Sequence, residues 1–567
     1  MSSGIVESSG EVRHLGIYTG FAFLIACVVA LRAPMLGNRF FSRIEQLGAC
    51  FAQRKRLAIA SAALAPIIIR LILLFWIPTP VPQIQDEFSH LLLADTLVHG
   101  RLTNPANPMW MYLDTFQVNQ LPTYMSVYPP AQGAVLALGE LVGQPWIGVL
   151  LSVAAMCGAT VWALQGWLPA RWALLGGVLL MLRLAIFGYW INSYWGGAAA
   201  AFGGALVIGA LPRIMKFARM RDGLAMAVGA AILANSRPFE GLIFCIPVAA
   251  ALVWRFLEIA DDTTRVRFRR MLVPACAVCV LFLGFDAYYN WRGTGNPALF
   301  PYVLNVDSHF AIPQLIGRRV RPPFHFQNMQ FDDYYNKWWQ IVARPKDIKE
   351  VRYDWLNRLR ASFGFFLWPE LCLPLLAVPW WFRDRRVRLL LWQAGICIGG
   401  YFLVVLFHPH YAAPLSITMF ALLAQGLRHM RQWRFGDQPV GIGLARVVVS
   451  FVVILVPLHR SYSMAFLKMD RRSHIVHDLE AKPGQHLVIV RYSPEHNAHA
   501  EWVYNGADID DAKIVWARYI PGTSIEPLLA YFHNRQVWLV EPDDSDTTPS
   551  LVPYLSAQRS STDSAGR

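Results

Sequence analysis

The stretch "PTPVPQIQDEFSHLLLADTL", residues 78–97, decides how this chain is read. It begins where an apolar run, 57–77, long enough to cross a bilayer as one helix, should surface. The chain then at once presents Asp86, Glu87 and His90. If the stretch is helical, Asp86 and His90 share a face and Glu87 points roughly 100° away. Two acids at a helix start can simply favour the helix dipole. They can also supply a general base at the water–lipid boundary, where partial burial raises a carboxylate's pKa. The side of the membrane they face decides between these readings.

Composition supports a membrane protein. Of 567 residues, 55% are hydrophobic and 16% are charged, against about 25% charged in soluble domains. The net charge of +14 would suit a nucleic-acid binder. The Lys and Arg residues, however, sit in short clusters between apolar runs, as positive-inside loops do, and nucleic acid is excluded as a partner. The eight cysteines (27, 50, 157, 245, 276, 279, 372, 397) lie in or beside apolar runs, so no disulfide framework is implied. Cys276 and Cys279 form a CxxC inside an apolar helix without partner ligands and read as packing. Glu7 and Glu11 precede the first apolar run and basic residues follow it. That run reads as a retained helix with its N-terminus outside.

Twelve candidate spans lie near 15–32, 57–77, 146–164, 172–189, 192–212, 223–236, 239–255, 271–289, 362–381, 388–407, 411–427 and 442–458. If they alternate, the basic clusters at 39–56, 213–221, 265–270, 383–388 and 428–434 all fall on one side, the cytoplasmic one. Residues 78–145, 290–361 and everything after about 459 then face outward, Asp86 with them. The expected organisation is an extra N-terminal helix and basic loop (1–56), a membrane domain (57–458), a soluble domain (459–542) and a disordered tail (543–567). Loop 78–145 is rich in Pro and aromatics and reads as short surface helices. In the soluble part, "HLVIVRYS", "AKIVWARYI" and "RQVWLVEPD" alternate with helical stretches, which predicts a small α/β domain with parallel strands. It has no Gly-rich phosphate fingerprint.

Further polar groups fall on the outward side. "ILANSRPFEGL" places Arg237 and Glu240 between two short spans, with Pro238 breaking the helix. An Arg at membrane depth needs a partner or a function: an ion pair with Glu240, or the grip on a phosphate. "FHPHYAAP" puts His408, His410 and Tyr411 in a tight turn. Two histidines two residues apart are also a metal pattern, but no third ligand accompanies them, so a divalent metal stays an alternative and no cofactor is assigned. "GYWINSYWGG" adds Tyr189, Trp190, Asn192, Tyr194 and Trp195, as interface anchors or as a platform for a sugar ring.

This pattern resembles the GT-C glycosyltransferases that use polyprenyl-phosphate sugars, in particular the protein-mannosyltransferase-like branch, which includes bacterial enzymes that add sugars to lipid A. In that family the first outward loop opens with an Asp-Glu pair, here "QDEFSHLLLADTLVHG", and continues to a "YPP" segment, here "VYPPAQGAVLALGELVG". The outward "HYAAP" adds to the likeness. It covers most of 57–430 in topology and a few short segments in motif. The resemblance implies transfer of a sugar from a lipid phosphate to an acceptor hydroxyl, usually with inversion, and Asp86 as the general base. Glu87 would orient Asp86 or the acceptor. From side and chemistry, Arg237 would hold the leaving phosphate, helped by His408, His410 and Tyr411. His90, Glu240, Tyr194 and Trp195 would line the substrate site, and Arg318, Arg319 and Arg321 would close from the long loop.

The expected partners are a polyprenyl-phosphate sugar, an acceptor lipid, glycan or protein, and membrane lipids. The expected location is a bacterial inner membrane with the site in the periplasm. The helix at 15–32 and the soluble α/β part depart from the family core. A transporter or flippase, or a non-catalytic envelope assembly factor, would fit the composition too. A transporter would place polar groups at mid-membrane in repeated halves, and no repeat is visible.

Overall fold

A computed structural model describes residues 18–316, 319–337, 347–367, 371–382, 384–465, 471–543 and 549–554. The chain is a polytopic helical membrane protein with a small α/β domain at its C-terminal end. Among the described residues, five helices are long and apolar enough to cross a membrane: Lys55–Phe75, Pro145–Trp167, Ala198–Phe217, Pro238–Glu258 and Asp262–Thr294. Tyr18–Arg32 and Val440–Ile454 are shorter apolar helices.

Pro145–Trp167 and Ala198–Phe217 form the centre, where small residues let backbones meet. A Cβ on Gly204 would stand 2.4 Å from the Pro414 carbonyl oxygen, and one on Gly209 would strike Trp162 and Ala163. The outer helices leave Ile68, Trp254, Val273, Leu281 and Leu283 exposed. So many large apolar side chains on one surface suit lipid and not water.

The expected spans near 172–189, 223–236, 388–407 and 411–427 appear as the helices Ala170–Leu180, Met220–Ala234, Arg385–Tyr401 and Ser416–Met430, of 11 to 17 residues. The span expected at 362–381 is not one helix. Ile348–Phe366 ends first, and the turns Leu373–Ala377 and Val378–Trp381 follow. The helix expected from 192 starts only at Ala198. Tertiary contacts hold the preceding segment open: Asn192 Oδ1 accepts from Arg70 Nε at 2.8 Å, and the Tyr194 N–H donates to Glu87 Oε1 at 2.9 Å.

Arg70 also ends the first long helix. Pro78, Pro80 and Pro82 each exclude the preceding residue from helical backbone, which frees carbonyls at the exit. The Arg70 guanidinium, 1% exposed and 4.8 Å from the Trp146 ring, donates to Ile77 O at 3.0 Å and Pro78 O at 2.7 Å. An Arg buried in a membrane helix thereby satisfies the backbone groups that the prolines orphan.

The basic clusters share one end. Glu45 binds Arg431 at 2.6 Å and Arg446 at 3.0 Å, the Lys55 carbonyl accepts from Gln165, and Arg213 donates to the Trp162 carbonyl. At the other end, loop 78–145 holds the acidic helix Gln85–Val98, the hairpin β1 (Val118–Asn119) and β2 (Met125–Ser126), and helix Pro130–Glu140. The hairpin is unexpected from sequence, since two-residue strands carry no periodicity.

The C-terminal sheet runs β4 (Ile514–Arg518), β3 (His486–Val490), β5 (Gln536–Val540), β6 (Val552–Pro553). β3 pairs parallel with both β4 and β5, and every residue of β3 is buried, as befits a central parallel strand. β6 adds an antiparallel edge that the three-strand expectation lacked. Leu487, Ile489, Val515 and Ala517 share one apolar core with Leu92, Tyr112, Leu113 and Val118 of loop 78–145. Of the tail expected from 543, residues 544–548 and 555–567 lie outside the described residues, as does the start of the N-terminal helix.

Candidate functional site

The acidic helix opens on an extended residue, Ile84 (φ −123°, ψ 156°). Glu87 closes this start. Its Oε2 accepts from Gln83 N–H at 2.8 Å and Ile84 N–H at 3.3 Å, and its Oε1 takes the Tyr194 N–H. Glu87 is 3% exposed and both oxygens are engaged by backbone, so it caps the helix and ties it to the 187–197 segment. Tyr194 completes the tie, donating its hydroxyl to the Pro80 carbonyl at 2.9 Å. At 5% exposed and with N–H and O–H both engaged, Tyr194 is a brace and not the sugar platform expected of it.

Asp86, one residue earlier, is half-buried and turns elsewhere. Its Oδ1 accepts the Tyr128 hydroxyl. Burial pushes the Asp86 carboxyl up to about 7; the positive charge of Arg237 opposes this and the Glu87 charge adds to it. His90, one turn on, stacks on Tyr128 with ring centroids 4.4 Å apart. Burial, with Arg237 adding, pushes its imidazole down to about 3, so it is neutral at neutral pH. Its buried Nδ1 has no hydrogen-bond partner among the described residues.

Arg237 is the last residue before helix Pro238–Glu258, where Pro238 takes the first helical position. Of the two readings of Arg237, the ion pair with Glu240 is not formed: among the described residues no carboxylate lies within 4.0 Å of its guanidinium. Glu240 is buried in the first turn of the helix, where an acid suits the dipole. Arg237 lies instead over the Tyr411 ring, 4.3 Å from its centroid. Its charge acts on Asp86, His90, His408 and His410 together.

The turn Pro409–Leu415 supplies the other wall. His408 and His410 stack at 5.5 Å, and Tyr411 stands edge-on 4.9 Å from His410. The Trp195 ring meets His410 at 4.5 Å, and the buried His410 Nε2 has no partner among the described residues. No group of three or more His, Cys, Asp or Glu side chains placed to hold a metal occurs among the described residues. Arg321 binds Asp307 at 2.7 Å, Arg319 is exposed, and Arg318 lies outside the described residues.

Asp86, His90, Arg237, His408, His410, Tyr411 and Trp195 thus form one cluster, with Glu87, Tyr194 and Glu240 bracing its rear. Several neighbours of this cluster carried no separate signal in sequence. Tyr128 stood in the quoted "VYPP" without a role. Gln85 Nε2 donates to Tyr334 Oη and to His499 Nδ1, both at 3.2 Å, which brings the long loop and the C-terminal domain beside Asp86. Such contacts between segments hundreds of residues apart leave no local pattern.

No family model matches the chain, and no curated protein does. Among solved structures it is similar to the ArnT of Cupriavidus metallidurans, at 13% identity for the apo form over 84% of this chain and 91% of that one, with a TM-score of 0.45. The form bound to undecaprenyl phosphate gives 11% identity over 85% and 92%, also at 0.45. The oligosaccharyltransferase of Archaeoglobus fulgidus gives 11% identity over 76% of this chain and a TM-score of 0.40, and the chain spans 62% of that protein's length.

Proposed function

We propose that the chain is a membrane glycosyltransferase that moves a sugar from a polyprenyl-phosphate carrier to an acceptor hydroxyl. Its site would lie on the outer face of a bacterial inner membrane, with Asp86 as general base. The observation that carries this reading is the placement of Asp86 and Arg237 in one cluster. A carboxyl titrating near 7 and an Arg without an ion pair among the described residues share one cluster, each within reach of the other's field. The basic end of the molecule is taken as cytoplasmic, which puts this cluster outside.

In this mechanism the acceptor oxygen attacks the anomeric carbon from the face opposite the phosphate. Asp86 takes the hydroxyl proton as the new C–O bond forms, a role suited to a pKa near working pH. The bond from the anomeric carbon to the phosphate oxygen breaks, and its electron pair leaves with the lipid phosphate. The Arg237 guanidinium meets the charge that develops there, with His408, His410 and Tyr411 around it. Tyr128, by donating to Asp86 Oδ1, fixes the carboxylate's orientation and leaves the other oxygen for the acceptor. Glu87 acts only as a positioning residue. No metal is assigned a step.

The test is Asp86→Asn in proteoliposomes supplied with polyprenyl-phosphate mannose, glucose or arabinose and with envelope lipid, glycan or protein acceptors. Loss of transfer with unchanged donor binding supports the reading. Full transfer by the variant overturns it.

A further inference from the structure

The acidic helix is gripped along one face by the C-terminal domain. Gln85, Phe88, Leu92, Asp95 and His99 recur at spacings of three and four, so they stack on one side of the helix. Each meets the domain. Gln85 donates to His499 Nδ1 at 3.2 Å. The Phe88 ring lies parallel to Tyr504, centroids 4.2 Å apart and planes 3° from parallel, with the Arg472 guanidinium 5.0 Å from its own centroid. Leu92 enters the core of Leu487, Val515 and Ala517. The Asp95 carboxylate accepts the Ala507 N–H at 2.6 Å, and His99 stands 3.2 Å from Asp508. Asp86 and His90 sit roughly 160° round the helix from the centre of this face, at 100° per residue.

We propose that the C-terminal domain is a clamp on the helix that carries Asp86, holding that carboxylate at its depth and facing the Arg237 wall. Its residues Tyr504, Ala507 and Asp508 are then positioning residues for a reaction they do not touch. The role of Asp86 rests on the function proposed above; the clamp itself does not.

Gly506 shows how closely the surfaces are fitted. A Cβ there would stand 2.8 Å from Asp95 Oδ2, so any side chain pushes the acid away from the Ala507 N–H. Its φ lies outside the left-handed region, so an alanine adds this contact without backbone strain.

The experiment uses the full chain in nanodiscs with three variants: Tyr504→Ala, Gly506→Ala and, as control, Tyr504→Phe, which keeps the stacked ring. The first readout is amide hydrogen exchange across 85–98. The two alanine variants should speed it about tenfold or more, and Tyr504→Phe should leave it unchanged. The second is the pH profile of transfer. Asp86 is faced by Glu87 and His90 on its own helix and by Tyr128, Tyr189, Arg237, Tyr302, Tyr334, Tyr411 and Tyr504 from others. A loosened helix admits water to it, so the acidic limb should move down by about one unit while kcat falls about 10- to 100-fold with little change in KM.

Gly506→Ala covers the case in which Tyr504→Ala fails to fold. Unchanged exchange in both alanine variants overturns the clamp. Faster exchange with an unmoved pH limb overturns its positioning role. If Asp86→Asn keeps full transfer, the functional reading fails while the exchange result still decides whether the domain holds the helix.

Discussion

The Tyr128 hydroxyl donates to Asp86 Oδ1, and the same tyrosine ring stacks on His90, one helical turn along. A hydrogen bond to a carboxylate favours its ionised form. Tyr128→Phe keeps the ring on His90 but removes that bond. The acidic limb of the transfer profile should move to higher pH, with a loss of about tenfold at pH 7 that shrinks as the pH is raised. A uniform loss at all pH values would show that Tyr128 acts otherwise.

Asp86 itself links pH, stability and activity. Burial raises its folded carboxyl to about 7, against roughly 4 for a free Asp. A raised folded pKa stabilises the protein fully below the unfolded value, and that contribution is lost as pH climbs from about 4 through 7. Asp86→Asn removes the penalty. The variant should therefore lose about 100-fold or more of its transfer rate while its unfolding midpoint at pH 8 rises. Scanning calorimetry at pH 5 and pH 8 should show the gain mainly at pH 8.

Arg237 separates charge from shape. Arg237→Lys keeps the cation but cannot lie flat over Tyr411 or offer two parallel donors, so transfer should fall about tenfold. Arg237→Met removes the charge that holds the Asp86 carboxyl down, and transfer should fall about 100-fold or more. The acidic limb should move upward in the methionine variant and stay in place in the lysine variant. Rates measured from pH 5 to 9 check both.

Inside the C-terminal domain, Arg518 binds Glu501, each side chain 1% exposed. Glu501 Oε1 also accepts from the Trp502 and Val503 amides, both at 2.9 Å. Arg518→Met strands a buried carboxylate, at a cost of about 3–5 kcal/mol. The double variant Arg518→Met/Glu501→Gln should recover part of that. A thermal unfolding series orders the three proteins, and a double variant less stable than the single one would contradict the account.

Much of this arrangement was legible before any coordinates. Hydropathy located the five long apolar helices, because a bilayer imposes their length. The Lys and Arg clusters around Glu45–Arg431 and Arg213–Trp162 gather at one end, as their alternation with the apolar runs predicts. The outward side alone brought Asp86, Arg237 and His410 together as candidates.

What escaped has a common cause. The role of Glu87 depends on the Tyr194 N–H, and residues 107 apart carry no shared periodicity. The unwound segment before Ala198 is apolar and aromatic, like a helix, and is held open by Arg70 and Glu87 from elsewhere. Arg70 lies inside the apolar run 57–77 with no local pattern to mark its role. Its function is visible only once the Ile77 and Pro78 carbonyls are seen to need donors.

The Asp95–Ala507 contact joins residues 412 positions apart. At a synthesis rate of about 5–20 residues per second, the acidic helix is made roughly 20–80 s before the surface that grips it. During that interval Phe88, Leu92 and Tyr112 lack their partners in the C-terminal domain, and this face of the newborn helix must be shielded or left unstructured until the last part of the chain is made. Assembly of this site is therefore timed by the end of translation. A chain cut short after its final membrane helix would carry Asp86 on a helix that lacks this grip, facing Arg237 at the start of another.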